Sequence, residues 1–403
     1  MSEYVFPYVI IGGGLAGASA VEGIRELDQN KSILLIGEEK HLPYDRPPLS
    51  KDLWLGKKKE DEIFLHDEPF YEQNKVTLAL GTRAASIEIN QKSMTDERGN
   101  RYRFEKLLLA TGGIPRFLPV PGGNADGICY YRYLDDYLRI RPEAREGKTA
   151  VIIGGGFIGS EIAAALCTNK VSVTMIFPDA YLCSRVFPEY LGRAVQEHYV
   201  KRGIRILNGE RPVSFSKNGP KVIAKTESGK EIGSDFVIAG IGILPAVGLA
   251  KAANLNVDAG KGIVVNEYLA TSHPDIYAAG DNAFFPYAAL GKSVRIEHWD
   301  NADKQGKLAG RNMAGAQEPY VHMPYFFSDL FEFGYEAVGE VSTELQTFAD
   351  WQKENEKGVI YYLSDGRVKG VMMCNVWKKI KMARELIRKA ERLTPEALRG
   401  AIV

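Results

Sequence analysis

Hydrophobic positions in the 403-residue chain group into runs, and at two places the same transition occurs. "YVIIGGGLAGASA" (Tyr8 to Ala20) and "AVIIGGGFIGSEIAAAL" (Ala150 to Leu166) each pass from a short β-branched block, through glycines, into an alanine-rich stretch of helical character. Each then meets a second apolar block, "SILLIG" (Ser32 to Gly37) or "VSVTMIF" (Val171 to Phe177). Strand, turn, helix and strand in that order predict two βαβ units. A third region, from near Tyr320, reads differently. "GVIYYLSDGRVKGVMM" alternates as paired strands, with Asp365 and Gly366 suited to a hairpin turn. "IKMARELIRKA" then places Ala383, Leu386, Ile387 and Ala390 on one helical face, and "TPEAL" predicts a last short helix with Thr394 as N-cap and Pro395 in its first turn.

Both glycine turns read GxGxxG. Gly12 and Gly154 make the tight turn, Gly14 and Gly156 let backbone approach a pyrophosphate, and Gly17 and Gly159 let helix pack on sheet. Free N–H groups at the helix N-terminus then receive the phosphates. An acid should follow the second strand to bind a ribose: Glu38 lies 26 residues after Gly12, and Asp179 lies 25 after Gly154. One such turn is weak evidence. Two complete ones, 142 residues apart, predict two bound dinucleotides.

Two later strands complete the first unit. "FEKLLLATGGIPR" (Phe104 to Arg116) ends in Thr111 and Gly112, and "PDIYAAGDNAFF" (Pro274 to Phe285) ends in Gly280 and Asp281, where ligands of open α/β sheets bind. The expected fold is α/β: a discontinuous Rossmann-like domain over residues 1–115 and 245–319, a second inserted at 116–244, and a C-terminal α+β domain at 320–403.

Composition narrows the function. Forty-five per cent hydrophobic and 25% charged residues suit two or three globular domains. With 51 basic against 51 acidic residues, attraction for nucleic acid is not expected. No apolar run reaches the roughly 18 residues of a membrane span. The first strand, near Tyr8, is read as leaving no room for a signal peptide, so a cytoplasmic location is expected. Cys129, Cys167, Cys183 and Cys374 form no CxxC pair and the six histidines are scattered, which argues against a redox dithiol and a metal centre.

"PYDRPPLSK", "LLLATGG", "GGGFIGSE", "PDIYAAGD" and "RIEHWDNADKQGKLAGRNMAG" together resemble the two-dinucleotide flavoproteins that include apoptosis-inducing factor and the ferredoxin or rubredoxin reductases of bacterial oxygenase systems. The resemblance runs through nearly the whole chain, and its last part, from "YFFSDLFEFGYEAVGEV", is nearer to apoptosis-inducing factor. It implies FAD in the first unit, with Gly12, Gly14 and Gly17 at the pyrophosphate, Glu38 at the ribose, and Thr111 and Gly112 at the strand mouth. Arg46, Arg132 and Asp281 would reach phosphates and ribityl chain, and Glu297, His298 and Trp299 would border the isoalloxazine. NADH would lie on Gly154, Gly156, Gly159 and Asp179, with Gly242 nearby and Phe157, followed by Ile158, shielding the flavin.

The resemblance also gives meaning to "HLPYDRPPLSK" (His41 to Lys51). Pro43, Pro47 and Pro48 fix their own φ and bias the residues before them toward extended backbone, so the segment aims Lys51 at the flavin at little entropic cost. A fixed cation there would stabilise the negative charge of a reduced flavin. Glu161, expected in the first turn of its helix, would be the counter-ion. Asp179 favours NADH over NADPH, although Arg185 could accept a 2′-phosphate. Phe327 stands where the family often has tryptophan. No cysteine pair follows the first unit, so electrons would leave the flavin directly for an acidic ferredoxin- or rubredoxin-type carrier, a quinone, oxygen or an artificial acceptor. From Arg367 to Val403 ten Lys or Arg face three Glu, a basic surface for such a carrier. The alternative reading is a redox-gated interaction protein whose reduced state controls dimerisation, with a homodimer as the assembly.

Overall fold

The computed structural model describes residues 2–258 and 260–402. They form two compact units. The first comprises the residues up to Asp45, Asp61–Ile114 and Leu244–Pro324; the second comprises Arg46–Glu60, Pro115–Ile243 and the residues from Tyr325 onward.

In the first unit, Val76–Leu80, Ile33–Gly37, Glu3–Ile11 and Arg101–Leu109 lie side by side as a parallel sheet. Arg101–Leu109 forks: its start pairs antiparallel with Ser93–Asp96, and its end pairs parallel with Ile276–Ala278, Leu107 opposite Ile276. Ile33–Gly37 is buried along its whole length, which explains the solid apolar run. The helices Leu15–Arg25 and Trp299–Met313 pack with backbones in contact. A Cβ on Gly306 would lie 2.2 Å from the carbonyl oxygen of Ala16, so only glycine fits. The first strand starts at Glu3 rather than near Tyr8, because Glu3 to Phe6 pair with Arg101 to Phe104 although Tyr4 and Val5 are exposed.

In the second unit, Arg205–Asn208, Ser172–Phe177, Thr149–Ile153, Phe236–Ala239 and Ile128–Tyr130 make a parallel sheet. A three-stranded antiparallel sheet, Pro212–Asn218, Lys221–Thr226 and Glu231–Ser234, covers it through a core of Val151, Ile153, Phe215, Val222 and Val237. The C-terminal part is a five-stranded antiparallel sheet in the order Tyr325–Leu330, Phe333–Gly339, Arg367–Cys374, Lys357–Ser364, Gln346–Lys353. Asp365 and Gly366 turn its central hairpin, with φ of 50° and 71°, the mirror-image turn that suits strand twist.

Three local expectations change. Arg46, which precedes Pro47, is helical (φ −81°, ψ −34°) rather than extended: Leu49 N–H bonds to its carbonyl at 2.9 Å and closes a 3₁₀ turn over Pro47–Ser50. Glu161 is the fifth residue of helix Phe157–Thr168, one turn in, rather than in the first turn. Ala390 does not share the buried face of Ala383 and Ile387; it ends helix Ile380–Lys389 in the left-handed region and is exposed. Thr394 caps Pro395–Leu398 by accepting from Ala397 N–H.

Candidate functional site

The first glycine turn is built by close approach. Gly12 has φ 130°, and a Cβ there would fall 2.0 Å from the carbonyl oxygen of Ala110; one on Gly17 would fall 2.0 Å from that of Gly12. Gly14 differs. It is the N-cap of helix Leu15–Arg25, offers no side-chain cap, and a Cβ on it would meet nothing within 4 Å. The start of this helix therefore has open space beside Gly14 and no side-chain cap, as close backbone approach to a pyrophosphate requires. Glu38 follows directly on Ile33–Gly37, exposed, 3.0 Å from Arg83 Nε.

Further polar groups gather where Arg101–Leu109 and Ile276–Ala278 end in the same unit. Thr111 donates to the carbonyl of Ala246 (2.7 Å), whose own N–H donates to Gly112 O (2.9 Å). Asn282, fully buried, donates to Leu109 O and Thr111 Oγ1, both at 2.9 Å, and its Oδ1 has no partner among the described residues. Gln305, also fully buried, accepts from Gly280 N–H at 2.9 Å, and its Nε2 has no partner among the described residues. Sequence reading missed both, because a lone amide carries no spacing signal. Asp281 lies between Gly280 and Asn282, its carbonyl bonded by Arg295, and Arg295 pairs with Glu297 at 2.5 Å. Burial pushes the His298 imidazole down to about 4, against the opposing pull of Asp281 and Asp300, so it is neutral at pH 7. Trp299 Nε1 donates to Asp45 at 2.7 Å.

The second turn repeats the design in its own unit. Gly154 has φ 117° and would carry a Cβ 2.4 Å from Gly240 O, and a Cβ on Gly159 would lie 2.2 Å from Gly154 O. Gly156 caps helix Phe157–Thr168, again with no side-chain cap and open space before it. Asp179 is exposed just past Ser172–Phe177, and Gly242 has φ 91° and accepts from Arg116 N–H. Phe157 is half-buried, 5.7 Å from the Phe326 ring and 6.1 Å from Tyr335; Ile158 is exposed.

Lys51 belongs to this second unit, as do Arg46 and Arg132, whereas the other residues expected at FAD lie in the first. Arg46 donates to Arg132 O at 2.9 Å. The segment carrying Lys51 is clamped. Trp54 Nε1 and Tyr131 OH both donate to Leu49 O, at 2.7 and 2.5 Å, and Asn169 donates to Trp54 O at 2.9 Å. Lys51 Nζ sits 3.2 Å from Glu161 Oε1, 3.7 Å from Asp329 and 4.2 Å from the centre of the Phe327 ring. Ser50 donates to Glu161 Oε2 and Ser328 to Oε1, each at 2.5 Å. Burial pushes the Glu161 carboxyl up, while Lys51, Ser328 and Ser50 pull it back. Among the described residues no cluster of His, Cys, Asp or Glu could hold a metal, and the four cysteines are free. Burial raises the thiols of Cys129 and Cys183 to about 12, which makes them poor nucleophiles.

The comparisons with known proteins bear on this geometry. The profile described as "Pyridine nucleotide-disulphide oxidoreductase" matches residues 6–306. The chain belongs to this family. A second profile, "Apoptosis-inducing factor, mitochondrion-associated, C-term", matches 309–357 and 349–389. Apoptosis-inducing factor 1 of Dictyostelium discoideum is 34% identical over 95% of this chain and 78% of its own length. The anthranilate 1,2-dioxygenase system ferredoxin–NAD(+) reductase component of Burkholderia cepacia is 33% identical over 97% of this chain and 96% of its own. Among solved structures, the covalent putidaredoxin reductase–putidaredoxin complex aligns with TM-score 0.90 and 32% identity, over 98% of this chain and 95% of that one. Family membership makes the protein an oxidoreductase with FAD and NADH as its cofactors, and the two open glycine cradles fit two such dinucleotides.

Proposed function

We propose that this enzyme takes hydride from NADH onto FAD and passes electrons to an acidic ferredoxin- or rubredoxin-type protein. The observation that carries the reading is the buried Lys51–Glu161 pair on a clamped segment, in a chain whose cysteines are all free. Relatives named as ferredoxin– or rubredoxin–NAD(+) reductases, including one of Pseudomonas putida at 34% identity over 80% of this chain, support it.

In this reading Gly12, Gly14, Gly17, Glu38, Thr111, Gly112 and Asp281 hold FAD, with Arg46, Arg132, Glu297, His298 and Trp299 at its phosphates and ring. Gly154, Gly156, Gly159, Asp179 and Gly242 hold NADH. Bound FAD would supply a hydride acceptor that can release electrons singly. Lys51 provides a fixed positive charge for the negative charge that develops on reduction, at an energy that water would screen away. Glu161 keeps that charge paired, and Phe157 and Ile158 cover the space before nicotinamide enters. Neutral His298 adds no competing charge. Exposed Trp377 and Met382 among Lys378, Lys379, Lys381 and Arg388 suit an aromatic anchor within a basic field for an acidic partner.

The test is anaerobic stopped-flow reduction by NADH, then mixing with a ferredoxin, a rubredoxin, a quinone and ferricyanide. Rapid bleaching of a yellow protein and preference for a protein carrier are expected. A colourless preparation that takes up no flavin would end the reading. The apoptosis-inducing-factor match of residues 309–389 favours a second reading, redox-gated partner binding through a homodimer. Size-exclusion with and without NADH separates them, since fast turnover with unchanged elution eliminates the second. Among the described residues no helix is long and apolar enough to cross a membrane, and a cytoplasmic location is part of the proposal.

A further inference from the structure

We propose that Ser50 and Ser328 are positioning residues: their hydroxyls fix both oxygens of Glu161, and through that carboxylate they hold Lys51 in place. The inference rests on the role proposed for Lys51 and Glu161.

The geometry comes from three distant stretches of one unit. Ser50 precedes Lys51, so adjacent residues reach the same carboxylate, Ser50 to Oε2 and Lys51 to Oε1. Ser328, 167 residues further along than Glu161, arrives on the strand Tyr325–Leu330 and donates to Oε1. Ser50 and Ser328 are themselves buried, with 4% and 1% of their surface exposed, so water does not compete for these bonds. A buried carboxylate facing one ammonium alone would be free to rotate or to take up a proton. Two further donors, one on each oxygen, oppose both. The neighbouring titratable groups are Lys51, Asp329 across the ammonium, Cys183, Tyr199 and Tyr335. Burial drives the Cys183 thiol to about 12 and both phenols well above their ordinary value, so they stay protonated at neutral pH.

The test uses the flavin-loaded enzyme in an Asp329→Asn background, which removes the other carboxylate at the ammonium. In single-turnover reduction by NADH, Ser328→Ala should move the acid limb of the pH profile upward by about one unit, as expected for one lost bond to a charged group. Adding Ser50→Ala should move it further, and Ser328→Thr, which keeps the hydroxyl, should restore it. A thermal-unfolding cycle gives a readout independent of activity: the Tm loss from Ser328→Ala should shrink to less than half in a Glu161→Gln background, where the acceptor is no longer charged. An unmoved limb in an enzyme that NADH reduces normally, or equal Tm losses in both backgrounds, overturns the proposal. If NADH does not reduce the parent enzyme, the functional reading fails instead, and the unfolding cycle alone decides the serine contacts.

Discussion

Lys51 Nζ and Glu161 Oε1 lie 3.2 Å apart, with only 10% and 6% of their side chains exposed, so each depends on the other. The dependence is unequal. Without Lys51, Glu161 keeps two hydroxyl donors and can accept a proton; without Glu161, Lys51 keeps, among the described residues, the carboxylate of Asp329 at 3.7 Å and half exposed, and the Phe327 ring at 4.2 Å. Glu161→Ala should therefore destabilise strongly, by about 3–5 kcal/mol, the usual cost of stranding a buried charge. Lys51→Ala should unfold at a higher temperature than Glu161→Ala, retain FAD, and reduce about 10²-fold more slowly with NADH. Calorimetry and stopped-flow absorbance check both. An unchanged reduction rate would remove Lys51 from the mechanism.

The two glycines of the first turn should fail in different ways. Gly12→Ala puts a methyl 2.0 Å from the carbonyl oxygen of Ala110 at φ 130°, so the end of the central strand Arg101–Leu109 must shift. Gly14→Ala meets only open space. The first variant should lose both thermal stability and yellow colour. The second should keep its circular-dichroism spectrum and melting temperature without flavin but bind FAD at least tenfold more weakly, because the methyl occupies pyrophosphate space. Equal FAD affinity in Gly14→Ala and the parent would show that the phosphates lie elsewhere.

How far the sequence shows this arrangement depends on how local the cause is. Both βαβ units were legible because each cradle depends on glycines within six residues of one another. The Asp365–Gly366 hairpin and the Thr394 cap were legible for the same reason. Ser328 was not: its contact with Glu161 spans 167 residues, and a serine in a strand carries no pattern of its own. Asn282 and Gln305 stayed hidden because burial and unpartnered atoms, rather than spacing, distinguish them. Arg46 went against the preference of residues before proline, since a 3₁₀ hydrogen bond outweighed a local steric bias.

Asp179 stands exposed past the strand end, while the carbonyl of Arg185 is held by Thr343 N–H at 3.1 Å. A carboxylate at this place accepts ribose hydroxyls and repels a 2′-phosphate. Asp179→Asn should shift the kcat/KM ratio of NADPH to NADH by about tenfold toward NADPH, as loss of one charge repulsion implies. Arg185→Ala in that background should reverse part of the gain if its guanidinium reaches the phosphate. Steady-state assays with ferricyanide measure all three enzymes, and an unaltered ratio in Asp179→Asn would discard Asp179 as the discriminating residue.

Asp235 links stability of the second unit to pH. Burial alone would raise its carboxyl. That effect is outweighed by Lys221 Nζ at 2.7 Å and by the N–H and hydroxyl of Thr149, both at 2.8 Å, so the group lies well below the usual carboxylate range. The unfolded chain, with an ordinary aspartate near 3.9, binds the proton more readily than the folded one. The stabilisation is thus complete above the unfolded value and is lost as pH falls below about 4 toward the depressed folded one. Asp235→Asn should cost about 2 kcal/mol at pH 7 and progressively less as pH falls below about 4, where the parent loses the same contribution. Melting temperatures of both proteins across that range should converge, and parallel curves would mean that Asp235 is not ionised against Lys221 in the folded state.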